Sequence, residues 1–476
     1  VSLRSTWRWL ETNAVAIFPR ALAVVYFIAF ASFYPQIDAL VGANGLTPMR
    51  PFFEAVYKQL GSRGYWLLPS LAWIHPTAAF LKLLAAAGMA ISLLAAAGFG
   101  SCLAMAALWA LYLALVGAGQ DFMAFQWDIL LLEAGFLAIF YVEWDWRFWR
   151  RAPTSPPRVA VWLVRWLLFR LMFLSGSVKL LSKDETWRNW TALAYHYQTQ
   201  PIPNPIAWYM QQAPHWFQVV SLCFMWFVEL VAPFFIFAPR RIRYVAAAFL
   251  ILFQVLLILT GNYAYFNWLT IVLCLPLIER GGEKPQTHAV QKWACVALAF
   301  FVVPVSITEM LGRFGYDAGG SAIEWQAPFH LVNTYGLFAA MTTERPEIVI
   351  EGTADGHTWL PYEFRYKPGD LHRAPPFVAP YQPRLDWQMW FAALAAPWSP
   401  QNDAWFGRLM IRLLEGKPEV KEFFSRNPFQ DRPPVAVRAR LYEYRFTTTQ
   451  ERAQSGDWWV RTPRGEYFPE ISLQRR

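Results

Sequence analysis

Nine long apolar runs recur through the first two-thirds of this chain, and they leave few folds open to it. They cover about 14–34, 78–98, 101–117, 127–142, 158–181, 216–237, 242–260, 264–279 and 289–308. A run of roughly 20 apolar residues spans about 30 Å of hydrocarbon as a helix, so 101–117 and 264–279 are the short cases. Within lipid every backbone amide needs an internal partner, which selects helices for such runs. The composition agrees: of 476 residues 56% are hydrophobic, 18% aromatic and only 16% charged, too apolar for an ordinary soluble domain. The expected fold class is a polytopic α-helical membrane bundle of about nine spanning helices over 1–308, with outer loops at 35–77 and 182–215. Residues 309–476 are expected to form an extracytoplasmic β-rich, sandwich-like domain with inserted helices.

Charge placement sets the expected orientation. Arg4 and Arg8 precede the first run, Arg147, Arg150, Arg151 and Arg158 lie between the fourth and fifth, Arg240, Arg241 and Arg243 between the sixth and seventh, and Arg280 and Lys284 between the eighth and ninth. With nine crossings all these loops share one side, the cytoplasmic side by the positive-inside rule. The net charge of +9 is thereby assigned to topology, and nucleic acid is not an expected partner. The first run contains Arg20 and no small-residue cleavage site, so it is expected to be a retained helix. Val1 in place of Met fits a trimmed terminus or a GUG start, the latter pointing to a bacterium. The expected location is a bacterial inner membrane with a periplasmic C-terminal domain, or the ER membrane with a lumenal one in a eukaryote.

In the C-terminal part, Phe338 to Met341, Glu347 to Gly352 and Trp359 to Tyr366 alternate as strands do, and Asp355-Gly356 marks a hairpin turn. Arg438 to Thr447 reads as another strand, and Trp458 to Arg461 as a short one. Helices are expected over Trp387 to Ala395 and Ala404 to Leu414. Asp386 is placed to cap the first of these, and Trp387, Trp390, Phe391 and Leu394 then share one apolar stripe.

Ionisable residues inside the apolar runs are the candidate functional residues, because an intramembrane charge costs about 3 kcal/mol or more unless paired or hydrated. Asp128 and Glu133 open the fourth run and Lys179 closes the fifth. Gln126 and Glu133, seven apart, share one helix face, whereas Asp128 is turned away from Glu133. Lys179 reads either as a desolvated base or as the partner of Asp128 or Glu133 in an ion pair. Arg170 and Glu229 fall at similar depth on neighbouring runs and read as a structural pair. Candidate binding residues at the same outer level are Gln126, Asn262 and Asn267, with Tyr263 and Tyr265 beside them; Trp187, Trp190, Tyr195, His196 and Tyr197 of the outer loop and Asp386 and Trp387 of the C-terminal part are further candidates. The seven histidines show no metal-ligand spacing, and no cofactor is indicated by any motif.

Several long strings carry a family resemblance. Phe125 through Glu133, Thr186 through Leu193, Tyr195-His196-Tyr197 with Gln200-Pro201-Ile202-Pro203, and Leu259 through Tyr263 with Phe266-Asn267 resemble the lipase maturation factor family. So do Asn333 through Phe338 and Pro383 through Leu394. The resemblance covers nearly the whole chain, in order. It implies a membrane-embedded maturation factor or chaperone, its animal members in the ER, that helps secreted clients such as lipases fold and assemble. A more distant likeness joins Gly176-Ser177-Val178-Lys179-Leu180 to the stretch holding the base lysine of vitamin K-dependent γ-carboxylase. It implies the alternative of an intramembrane enzyme using Lys179 as base on a lipid-soluble cofactor or lipid-linked substrate. The histidine partner of that enzyme has no counterpart near Gln126.

Overall fold

The computed structural model describes residues 3–99, 101–144, 156–279, 288–316 and 323–473. Arg147, Arg150, Arg151, Arg280 and Lys284 lie outside the described residues. Each of the nine apolar runs is helical: α1 (Leu3–Phe33), α2 (Ala78–Leu94), α3 (Cys102–Gly119), α4 (Gln126–Tyr141), α5 (Arg158–Leu181), α6 (His215–Trp226), α7 (Arg240–Thr260), α8 (Phe266–Cys274) and α9 (Ala289–Arg313). Among the described residues seven helical stretches are long and apolar enough to cross a membrane, which makes this an integral membrane protein. The two that fall short are α4, of 16 residues, and the 266–278 stretch.

Local chemistry sets the helix starts. The Thr77 and Ser101 side chains accept from the amides of Phe80 and Ala104, satisfying donors that the first helical turn leaves free. Pro157, Pro214 and Pro239 stand at the N-caps of α5, α6 and α7, where a missing N–H costs nothing. Below α6 the chain passes through a π turn at Phe227–Val231 and a tight 3-10 turn at Ala232–Phe237. Gly176 lets α5 approach this irregular stretch closely, since a Cβ there would sit 2.7 Å from Leu230 Cδ2 and 3.0 Å from Glu229 Cβ.

The β-rich part is an antiparallel sheet backed by helices. Its strands are β1 (Pro346–Thr353), β2 (Trp359–Pro361), β3 (Glu363–Phe364), β4 (Phe424–Arg426), β5 (Ala436–Phe446) and β6 (Trp459–Ser472). The main sheet has the order β2-β1-β5-β6, and β3 and β4 pair as a separate ribbon. Gly356 takes the positive φ (80°) of the expected turn between β1 and β2. β1 is central and almost wholly buried, covered by α10 (Arg384–Leu394). The helix α11 covers Ala404–Leu414 and packs on β5.

Three expectations are corrected here. Phe338 to Met341 is not a strand, because Phe338 has a left-handed φ of 54° that breaks the extended chain. The strand at Trp458 is long rather than short: β6 has 14 residues, and its outer edge is blunted by Pro463 and by charged Arg461, Arg464 and Glu466. Asp386 does not cap α10, which starts earlier, at Arg384. It lies inside the first turn and accepts instead from the amides of Tyr366 (3.0 Å) and Lys367 (2.8 Å).

Candidate functional site: three buried charge centres and one cavity

The first centre is Asp128, fully buried near the start of α4. Arg384, from the start of α10, donates Nη1 to Oδ2 (2.5 Å) and Nη2 to Oδ1 (2.9 Å). Such a two-pronged guanidinium–carboxylate pair is the strong form of a charge-assisted bond. Tyr112 and Tyr265 donate to Oδ1 at 2.5 and 2.6 Å, and Arg384 Nη1 also reaches the Phe122 carbonyl at 2.9 Å. One carboxylate thus joins α3, α4, the start of α8 and the C-terminal part.

Glu133 forms the second centre, on the other side of α4. It pairs with Arg170 of α5 and accepts from Asn333 N (2.9 Å), Asn333 Nδ2 (3.0 Å) and Tyr335 OH (2.7 Å). Arg170 Nη1 donates to the Asn333 carbonyl at 3.0 Å. On the same helix face Gln126 exchanges bonds with the backbone of Gly336 in both directions. Gln126 and Glu133 therefore hold one strip, 333–336, while Asp128 serves a separate site.

Lys179 anchors the third centre. Its Nζ donates to Ser175 O (2.9 Å) and to both oxygens of Glu229, Oε1 at 3.0 and Oε2 at 2.8 Å. This corrects the expected pairing, which gave Asp128 or Glu133 to Lys179 and Arg170 to Glu229. Matching the helices by their ends is what misplaces them. Leu181 ends α5 level with the π turn, where Glu229 lies fourteen residues along the chain from His215, so Lys179 meets Glu229 and Arg170 is left for Glu133.

The last turns of α5, the α6–α7 hairpin and the start of α8 border a cavity of about 510 Å³. Lys179 and Glu229 supply a charged pair to its wall, and residues of the loop after α5 also line it. The loop puts Trp187, His196 and Tyr197 on the cavity, with the Trp187 ring 5.6 Å from Lys179 Nζ. His196 Nε2 lies 2.9 Å from Tyr263 OH, which donates to Gln200 Oε1 at 2.8 Å. Burial, aided by the Lys179 charge, lowers the His196 pKa to about 4. Asn267 lines the same space and donates to Gln254 at 2.8 Å.

The remaining candidates lie away from the cavity. Asn262 is a clip: its Nδ2 donates to the carbonyls of Ile202, Pro203 and Pro376, and its Oδ1 accepts from Val378 and Ala379. Trp190 is exposed with a positive φ of 63°, and Tyr195 is half-buried against the main core. Trp387 packs edge-on against Trp127, ring centroids 4.7 Å apart. Burial raises the Asp386 carboxyl to about 6, against the pull of two amide bonds. The apolar stripe of α10 divides, with Trp387 and Trp390 buried and Phe391 and Leu394 exposed.

Arg384, Tyr112, Asn333 and Tyr335, which hold these charges, are not marked as site residues in the sequence; Tyr265 is placed at the right level but not assigned to Asp128. A second missed group is Arg345, which is buried, pairs with Glu347 and donates to the carbonyls of Gln198, Gln200 and Pro201. An arginine beside a strand signal (Arg345-Pro346) is the available hint.

Fold and sites define a polytopic membrane protein whose β-rich C-terminal part is bound to the bundle through buried charges. Residues 14–282 match the lipase maturation factor transmembrane domain, and 331–469 match the lipase maturation factor C-terminal domain. Lipase maturation factor 1 of Bos taurus is 36% identical over 99% of this chain and 91% of its own length. Lipase maturation factor 1 of Homo sapiens is 36% identical over 96% and 87%, and lipase maturation factor 2 of Gallus gallus 36% over 96% and 81%. No solved structure matches. The chain belongs to the lipase maturation factor family.

Proposed function

We propose that this protein is a membrane-embedded maturation factor that assists folding or assembly of secreted clients such as lipases, without catalysing a reaction itself. The observation that carries the proposal is the end-to-end match to relatives named for lipase maturation. The charge centres support it. Asp128, Glu133 and Glu229 are each closed by a cation, and all three N–H bonds of the Lys179 ammonium are committed. In this reading 1–308 is the membrane part and 309–476 acts outside the cytoplasm, as the arginines of the loops suggest. Exposed Phe391 and Leu394 are its proposed client-facing patch.

Two experiments test it. Co-expression with a secreted lipase should raise the lipase's specific activity at equal lipase mass, and no rise for any lipase tested would sink the proposal. A reporter active only outside the cytoplasm, fused after Arg476, should work; activity of a cytoplasm-only reporter there would reverse the orientation.

A second reading is favoured by one observation, that Lys179 borders a cavity large enough for a substrate. In it Lys179 is the base of an intramembrane enzyme acting on a lipid-soluble cofactor or lipid-linked substrate. Lys179→Arg separates the two, because arginine keeps the charge and the pair with Glu229 but cannot be neutral near pH 7.

A further inference from the structure

The cavity beside Lys179 has a mouth, a long apolar wall and a set of polar groups, and these together specify a ligand. Phe217 and Val220 of α6 and Leu256 and Leu259 of α7 line it and are also exposed on the outer surface of the bundle. The mouth therefore opens sideways between two apolar helices, where a bilayer would lie. A volume of about 510 Å³ falls within the roughly 300–1,000 Å³ of pockets that enclose one small molecule, and suits a single aliphatic chain. A tail moving from lipid into such a wall exchanges one apolar surface for another, so selectivity must come from the head.

Among the polar groups the chemistry is one-sided. Lys179 and Glu229 cancel in charge, and the ammonium has no N–H left to attract an anion. Acceptors, by contrast, are in excess. Gln200 Nε2 donates to the carbonyls of Tyr197 and Thr260, which fixes Oε1 as the acceptor of the Tyr263 hydroxyl hydrogen. Tyr263 has no second hydrogen, so His196 Nε2 is the donor in their contact. In the neutral ring that leaves Nδ1 an acceptor with no partner among the described residues. The Glu229 oxygens keep lone pairs as well. An anionic head finds no unpaired cation among these groups, and a head without hydrogen-bond donors leaves their acceptors unmet.

We propose that this cavity binds a neutral single-tailed lipid whose head carries free hydroxyl groups, entering sideways between α6 and α7 with the hydroxyls at His196 and Glu229. The site is independent of the maturation proposal, and its failure would leave that proposal standing. The test uses the full chain in phosphatidylcholine nanodiscs and a monoacylglycerol with a photoreactive tail. Labelling should fall on α6 and α7, and monooleoylglycerol should compete at least about tenfold better than oleate or methyl oleate, which share its tail but lack its hydroxyls. Val220→Trp, at the mouth, should abolish labelling, and His196→Phe should weaken competition by monooleoylglycerol. Equal competition by methyl oleate, labelling elsewhere, or labelling unchanged by Val220→Trp would overturn the proposal. Tighter binding of oleate would replace it with an anion site.

Discussion

Asp128 and Lys179 are both buried charges in the helical bundle, yet their surroundings differ. Around Asp128 two tyrosines and Arg384 fill every direction, and Arg384 comes from the C-terminal part of the chain. Around Lys179 the pair with Glu229 is local to the bundle and one side opens on a cavity. The contrast teaches that an intramembrane charge is not one kind of signal. At Asp128 and Glu133 it is a fastener between distant parts of the chain, and at Lys179 it is part of a wall that faces a ligand-sized space.

The largest effect should follow from breaking the first fastener. Arg384→Leu leaves Asp128 charged in a dry site and should cost about 3–5 kcal/mol, read as loss of folded protein in a thermal melt of the purified chain. Adding Asp128→Leu should recover part of that loss, since no orphaned charge then remains. If Arg384→Leu melts like the wild type, the contrast with Lys179 has no energetic basis.

Asp386 sharpens the comparison, because it is a buried carboxylate held by amides rather than by a bonded cation. Its folded pKa of about 6 lies above its unfolded value, so the folded state binds the extra proton between about pH 4 and 6. Stability from this group is present below pH 4 and is lost as pH rises to 6, by up to about 3 kcal/mol. Asp386→Asn keeps an oxygen acceptor and should flatten that part of the pH profile.

Lys179→Ala should cost less than Arg384→Leu, roughly 2 kcal/mol, because water entering the cavity can solvate the orphaned Glu229. An equal or larger loss would mean that the cavity is closed to water. His196 carries a pH-dependent contribution of its own, since its pKa of about 4 lies below its unfolded value. Its contribution has the opposite sign to that of Asp386, being full above about pH 6.5 and lost as pH falls toward 4. His196→Phe should remove it, measured as a shallower loss of thermal stability on acidification.

Much of this architecture is legible in the amino-acid sequence. Continuous apolar runs locate every bundle helix, since a lipid-facing helix needs no more than length and hydrophobicity. The seven-residue spacing of Gln126 and Glu133 places them on one face, and both do hold the 333–336 strip. Alternation and the Asp355-Gly356 turn locate the hairpin that joins the inner strand β1 to the edge strand β2. Partner identity is not legible, because Arg384 and Asn333 reach α4 from distant parts of the chain and nothing local marks them. The Lys179–Glu229 pair escapes because depth counted from helix ends fails when α5 ends level with the π turn into which α6 runs on. Asp386 resembles a cap because it stands just before an apolar stripe, but Pro383 lets the helix begin earlier.

The most direct test of the account is lipase maturation by Lys179→Arg, measured as secreted lipase activity per unit lipase at equal amounts of membrane-inserted protein. A pair that only neutralises charge beside a cavity predicts maturation close to that of the wild-type chain. Full loss of maturation by a variant that inserts and melts normally would contradict the account and make Lys179 the base of an enzyme.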